Sequence, residues 1–64
     1  GTSRYNLACA YALNGKKAEA LAAVEKAIDE GFSDWKLLDT DEDLASIRGE
    51  EKFKALAKRL SKAG

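Results

Sequence analysis

Apolar residues in the first part of the chain recur at helical spacing. Leu7, Ala8 and Tyr11 lie three and four positions apart, which predicts a first helix over about residues 4–14. Gly15 comes next and favours the left-handed backbone conformation that ends a helix. We therefore expect the chain to turn at this glycine.

A second apolar stripe predicts a helix over about residues 17–30, and Gly31 ends it in the same way as Gly15 ends the first. The short connection between the two helices favours an antiparallel pair. The stripe consists of Ala20, Leu21, Val24, Ala27 and Ile28.

The following segment has no long period and predicts two short helical turns, at about residues 34–39 and 41–47. Ser33 is a candidate cap for the first of these turns. Thr40 with Asp43 three residues later is typical of a capping box that opens the second turn.

A closing helix is predicted over about residues 50–62. Glu50 and Glu51 open it and basic residues end it, which complements the helix dipole. One apolar face follows from the spacing of Phe53, Leu56, Ala57 and Leu60. Because β-branched residues are few and scattered, no strand is predicted and the fold class is all-α.

The length of 64 residues predicts a single domain, 1–64, with a marginal core. Within it we expect a helical hairpin at 1–31, a connector at 32–49 and a capping helix at 50–64. One cysteine and no histidine exclude an internal disulfide and a Cys/His zinc site, so packing or a partner must supply the stability. The first residue is Gly, so we expect a piece of a longer or processed protein.

Charge and hydropathy argue against two classes of partner. The 11 basic and 11 acidic residues give zero net charge, which argues against nucleic-acid binding. The apolar runs are much shorter than the roughly 20 residues that span a bilayer, so no membrane partner is expected. The lone thiol favours a reducing compartment, and we expect a cytoplasmic protein without a cofactor.

The composition also argues against catalysis. Without histidine, neither a Ser-His-Asp nor a Cys-His arrangement can be assembled. Cys9 lies in the middle of the first predicted helix, where no neighbour would lower its pKa, so we interpret it as a small packing residue. We therefore predict that the chain is not an enzyme and has no catalytic residues.

Acidic residues at 39–50 match positions 1, 3, 5 and 12 of an EF-hand calcium loop, but Leu44 stands where that loop needs glycine. The same acids also suit helix starts, so we predict no metal site and keep weak calcium binding at 39–50 as a minor alternative. The four matching acids are Asp39, Asp41, Asp43 and Glu50.

Residues 4–31 resemble one tetratricopeptide repeat, a pair of antiparallel helices that normally stacks in arrays. The residues that carry the resemblance are Tyr5, Leu7, Ala8, Tyr11, Ala20, Val24 and Ala27. The second half resembles the capping segment that follows the last repeat in some proteins of that superfamily. There the matching residues are Asp41, Leu44, Ile47, Arg48 and Phe53.

This resemblance implies a protein–protein interaction module that binds a peptide or a neighbouring repeat through one face of the first helix. The matching positions for a partner are Tyr5, Asn6, Cys9, Ala12 and Leu13. The same face, if exposed, also favours a weak homodimer. The alternative is a purely structural, self-contained helical bundle with no ligand.

Overall fold

The computed structural model of the protein describes residues 2–63, except for the side chains of residues 2, 35 and 63. This part of the chain is helical and contains no strand, which confirms the all-α class. Its elements in order are α1 (Thr2–Leu13), α2 (Lys17–Asp29), α3 (Trp35–Thr40), a 3₁₀ turn (Glu42–Leu44) and α4 (Glu51–Ala63).

The predicted antiparallel pair is formed by α1 and α2, which share the most extensive contact in the molecule. Gly15 and Gly31 have positive φ angles of 74° and 110°, as expected for residues that end helices. Ala8, Ala20 and Ala27 are fully buried, and their small side chains allow the two backbones to approach closely.

The start of α3 differs from the prediction, which placed the cap at Ser33. The cap is Asp34, whose carboxylate accepts a hydrogen bond from the backbone N–H of Leu37 at 3.1 Å.

The predicted capping box of Thr40 and Asp43 is also absent from the described residues. Thr40 is the last residue of α3, and its hydroxyl donates to the carbonyl of Lys36 at 2.8 Å. Asp41 caps the 3₁₀ turn instead, because its carboxylate accepts from the backbone N–H of Asp43 at 3.0 Å.

The closing helix α4 covers α2 and α3, as predicted for residues 50–62. Phe53, Leu56 and Leu60 are the buried residues of its apolar face. Two ion pairs flank this contact with α2 and are half exposed, so each adds little to stability. They join Lys52 to Glu25 at 3.2 Å and Arg59 to Asp29 at 2.7 Å.

The largest fully buried side chains come from the connector and α2, so the core lies between the hairpin and the segments that close over it. They are Leu38, Leu44, Ile47 and Val24. In the described part of the chain, every helix falls short of the length and hydropathy that crossing a bilayer requires.

Candidate docking surface

Helix α1 carries apolar residues on two sides, and one of these sides is covered. Tyr5, Cys9 and Ala12, which we call the covered side, are all buried. The 3₁₀ turn contacts α1, and its Leu44 is completely buried. Ser46, just after the turn, donates a hydrogen bond from its hydroxyl to the carbonyl of Ala12 at 3.0 Å. The connector therefore packs on α1 as a lid.

A small polar cluster fixes this lid to α1. The Tyr5 hydroxyl donates a hydrogen bond to the Asp41 carboxylate, and the Cys9 sulfur lies 4.0 Å from the same oxygen. Because Tyr5 and the backbone N–H of Asp43 both donate to it, the Asp41 carboxyl has a pKa below its ordinary value. The pKa of Tyr5 is raised, mainly by burial and then by the hydrogen bond to Asp41. The Tyr5 hydroxyl therefore stays protonated.

Arg48 holds the other end of the lid. Its guanidinium group donates hydrogen bonds to the backbone carbonyls of Leu38 and Asp41, which lie at the end of α3. A cation at the C-terminus of a helix satisfies carbonyls that have no partner within the helix. The residue pattern matches Arg48 only to the capping segment and does not predict this contact.

The structure therefore places the predicted partner-binding residues in two environments. Tyr5, Cys9 and Ala12 are buried and not open to a partner, because the connector folds back over them. Asn6 is exposed and Leu13 is 66% exposed, so a role for these two residues in binding stays a prediction.

The other side of α1 is open. Leu7 is 41% exposed, and Tyr11 is half buried against the core. With Ala22 and Ala23 of α2 they line a shallow groove of about 230 Å³. We call it the α1–α2 groove. Its polar rim consists of Arg4, Glu19 and Lys26.

A second, more polar groove of about 480 Å³ lies beside the α2–α3 connection. Phe32 forms part of it and stacks on Tyr5, with ring centroids 4.8 Å apart. Its two carboxylates already have partners within the protein, since Arg4 binds Glu30 at 3.0 Å and Asp34 caps α3. This groove is therefore a weaker candidate for an apolar partner than the α1–α2 groove.

The four acids of the minor calcium alternative do not form a single cluster. Asp39 lies in α3, Asp41 and Asp43 lie at the 3₁₀ turn, and Glu50 precedes α4. The only group of potential metal ligands found among the described residues joins Cys9 with Asp41 and Asp43. Asp41 in this group is hydrogen-bonded to Tyr5 and caps the turn, which accounts for its position without an ion.

The thiol of Cys9 is poorly suited to nucleophilic chemistry. It is buried, and burial is the main cause that raises its pKa. The nearby acid Asp41 adds to this increase and provides no base of the kind that activates a cysteine. The thiol is therefore held in its protonated, packing form.

Comparison with known families supports an assignment different from the one drawn from the sequence. The model of the family described as "A/B hydrolase-like, N-terminal domain" matches residues 2–63. The assignment of residues 4–31 to the tetratricopeptide superfamily, with a capping segment after them, is therefore wrong. The alternation of small and large residues in that stretch is what any closely packed helical pair needs, so it predicted the hairpin but did not identify the family.

Among curated proteins, the chain is similar to a chloroplastic protein of Arabidopsis thaliana. The two are 32% identical over 59 residues, which is 92% of this chain and 18% of the relative. The chain thus spans less than a fifth of the relative's length. No solved structure matches it.

Proposed function

Since this chain belongs to the A/B hydrolase-like N-terminal domain family, we propose that it is a non-catalytic helical module that binds an apolar segment of a protein in the α1–α2 groove. The observation that carries the proposal is the exposure of Leu7. A leucine that is 41% exposed beside a half-buried tyrosine, in a groove floored by alanines, leaves apolar area that a partner would bury.

The chemistry of the chain supports a non-catalytic role. The sequence contains no histidine, and its one thiol is buried, with its sulfur 4.0 Å from the Asp41 carboxylate. In this proposal, any hydrolytic activity of a longer protein in the family comes from residues outside this segment. We keep the cytoplasm, a reducing compartment, as the proposed location. The name of the Arabidopsis relative suggests a plastid instead.

The groove also suggests the form of the ligand. It runs between two antiparallel helices, and both apolar and charged residues line it. A short amphipathic helix fits such a surface, because apolar residues on one face enter the groove while the opposite face remains in water. The small side chains of Ala22 and Ala23 would let the ligand backbone approach α2 closely.

Selection of peptides against the folded chain tests the proposal. Peptides of helical length are selected from a random library on the wild-type protein and titrated into the ¹⁵N-labelled chain. We expect the largest shifts at the amides of Leu7, Tyr11, Ala22 and Ala23. Affinity should fall at least about tenfold in Leu7→Asp, because a buried unpaired carboxylate costs well over 1.4 kcal/mol.

Leu37→Asp is the matched control. Leu37 is 37% exposed and lines the second groove, so the same chemical change is made at nearly the same exposure on another surface. Binding that is unchanged by Leu7→Asp, or lost equally in Leu37→Asp, would contradict the proposal. A selection that yields no groove-binding peptide would support the alternative of a structural bundle without a ligand.

A further inference from the structure

The side of α2 that faces the groove has opposite charges at its two ends. Glu19 and Lys26 lie seven residues apart, which is two helical turns and about 10.5 Å along the axis. Ala22 and Ala23 lie between them on the same face, because three, four and seven steps return to one side of a helix. All four residues line the α1–α2 groove.

The other charged residues of α2 that form ion pairs do so within the chain. Glu25 and Asp29 bind Lys52 and Arg59 of α4. Glu19, by contrast, has no hydrogen bond or ion pair with any residue that the structure describes. A carboxylate at one end of the groove is thus available to a cation from outside.

We propose that a second copy of this chain occupies the α1–α2 groove, docked about a two-fold axis that passes between Ala22 and Ala23. This inference rests on the proposed function and names its partner. In this arrangement the two α2 helices run antiparallel. Glu19 of each copy then faces Lys26 of the other, and the exposed Ala22 lies at the centre beside Ala23, which is 6% exposed.

The apolar residues agree with this arrangement. Alanines at the crossing point let helix axes approach to about 8 Å, the lower end of the usual range. Leu7 and Tyr11, which flank α2 on the α1 side, would then pack against the α2 helix of the other copy. Two-fold symmetry makes every contact occur twice, so the charge pattern and the apolar strip are both self-complementary.

The size of the surface predicts a weak dimer. Stable complexes bury about 800 Å² on each partner, which is about a fifth of the 3950 Å² accessible surface of this chain. The α1–α2 groove covers only one side of a hairpin whose helices have 12 and 13 residues, so the interface falls at the low end. We therefore expect association only at high protein concentration and low salt.

Sedimentation equilibrium on charge-reversed variants tests the proposal, with samples up to about 1 mM. Glu19→Lys or Lys26→Glu alone should weaken dimerisation about tenfold, because each change replaces two attractive contacts with two repulsive ones. The double variant should restore the association to within about threefold of the wild type, because both pairs are re-formed with opposite sign.

Two reversals outside the groove serve as controls. Asp39→Lys in α3 and Lys58→Glu in α4 change the net charge by the same amounts at exposed positions. They should leave the dissociation constant unchanged. Circular dichroism melting of each variant verifies that the fold is retained, so that a lost dimer is not mistaken for an unfolded chain.

The outcomes separate this inference from the proposed function. A chain that stays monomeric at about 1 mM, yet binds selected peptides in the groove, overturns the second copy as occupant and leaves the proposed function standing. A dimer that ignores both single reversals and Leu7→Asp forms elsewhere and overturns the inference. Loss of association in each single variant with recovery in the double variant supports it.

Discussion

On one side of α1, Tyr5 and Cys9 lie beneath the connector, whereas on the other side Leu7 and Tyr11 border an open groove. The two sides have similar apolar character, so hydrophobicity alone does not decide which is covered. The difference lies in what faces them. The covered side meets Leu44, a large and fully buried side chain, while the open side meets the small alanines of α2.

Polar contacts sharpen this difference. The covered side is joined to the connector by the Tyr5–Asp41 hydrogen bond and by the bond from Ser46 to the carbonyl of Ala12. Such contacts fix one arrangement, because a buried polar group that loses its partner costs free energy. On the open side, Glu19 and Lys26 are exposed to water and make no such contact with the described residues of the connector.

The largest effect on stability is expected from shortening a buried side chain of the connector. Leu44→Ala should lower the free energy of unfolding by about 2–5 kcal/mol, because it leaves a cavity above α1. Leu7→Ala should lower it by less than about 1 kcal/mol, because Leu7 is already partly hydrated. Urea denaturation of both variants measures the difference.

Ile47→Val, also at a fully buried position in the connector, serves as a milder test with an expected loss of about 0.5–1.5 kcal/mol. It remains measurable even where Leu44→Ala unfolds the domain. Equal losses from Leu44→Ala and Leu7→Ala would mean that the two sides of α1 are equally covered in solution.

Two alanines of α2 provide a second comparison, with a smaller expected effect. Ala20 is completely buried against α1, so Ala20→Leu should overpack the contact and cost about 1–3 kcal/mol. Ala22 is exposed in the groove, so Ala22→Leu should change stability by no more than about 0.5 kcal/mol. Thermal unfolding of the two variants, which carry the same substitution two residues apart, tests this prediction. A cost at Ala22 as large as that at Ala20 would mean that the groove is closed.

The smallest effect on stability is expected from removing either of two tyrosine hydroxyl groups. Tyr5→Phe should cost about 1 kcal/mol, because the Asp41 carboxylate loses its donor. Tyr11→Phe should cost less than about 0.5 kcal/mol, because the Tyr11 hydroxyl has no hydrogen bond within the described residues. Denaturant unfolding at neutral pH compares the two, and identical values would rule out a stabilising bond between Tyr5 and Asp41.

The same bond predicts a pH dependence. The Asp41 carboxyl has a lower pKa in the folded chain than its ordinary value, so its contribution to stability is full above about pH 5. It is lost as the pH falls through the folded-state pKa. Stability of the wild type should therefore decrease more steeply on acidification than that of Tyr5→Phe. Unfolding free energies measured from about pH 6 to pH 2 test this, and parallel curves would contradict it.

The helices were predictable because their apolar stripes and terminal glycines are local features. Gly15 and Gly31 stop the first two helices where the sequence indicated, and the face that contains Phe53 marks the closing helix. Each of these signals lies within one turn or one helix. Residue spacing is therefore enough to locate them.

The covered side of α1 was not predictable in the same way. Tyr5 and Asp41 are separated by 36 positions, and nothing in the local pattern of either shows that they meet. Tyr5 with Cys9, and Leu7 with Tyr11, fit helical spacing equally well, so the sequence offers two candidate faces. One available signal was the pair Leu44 and Ile47, whose large side chains in a polar connector need an apolar surface to cover.

The family could not be predicted from the residue pattern either. The alanines that make the α1–α2 contact possible are required by close packing, and unrelated helical pairs meet the same requirement. The residue types at these seven positions therefore predicted the helical hairpin but did not identify the family. The matching of nearly the whole chain to one family supplied what the packing pattern lacked.

The buried thiol of Cys9 can report local opening of the structure. This is the only sulfur in the sequence, and it is 7% exposed beneath the connector. A thiol reagent reaches it only when the lid lifts, so the alkylation rate at low reagent concentration gives the fraction of time the lid is open. Comparing that fraction with the globally unfolded fraction tells whether the connector moves alone or only when the whole domain unfolds.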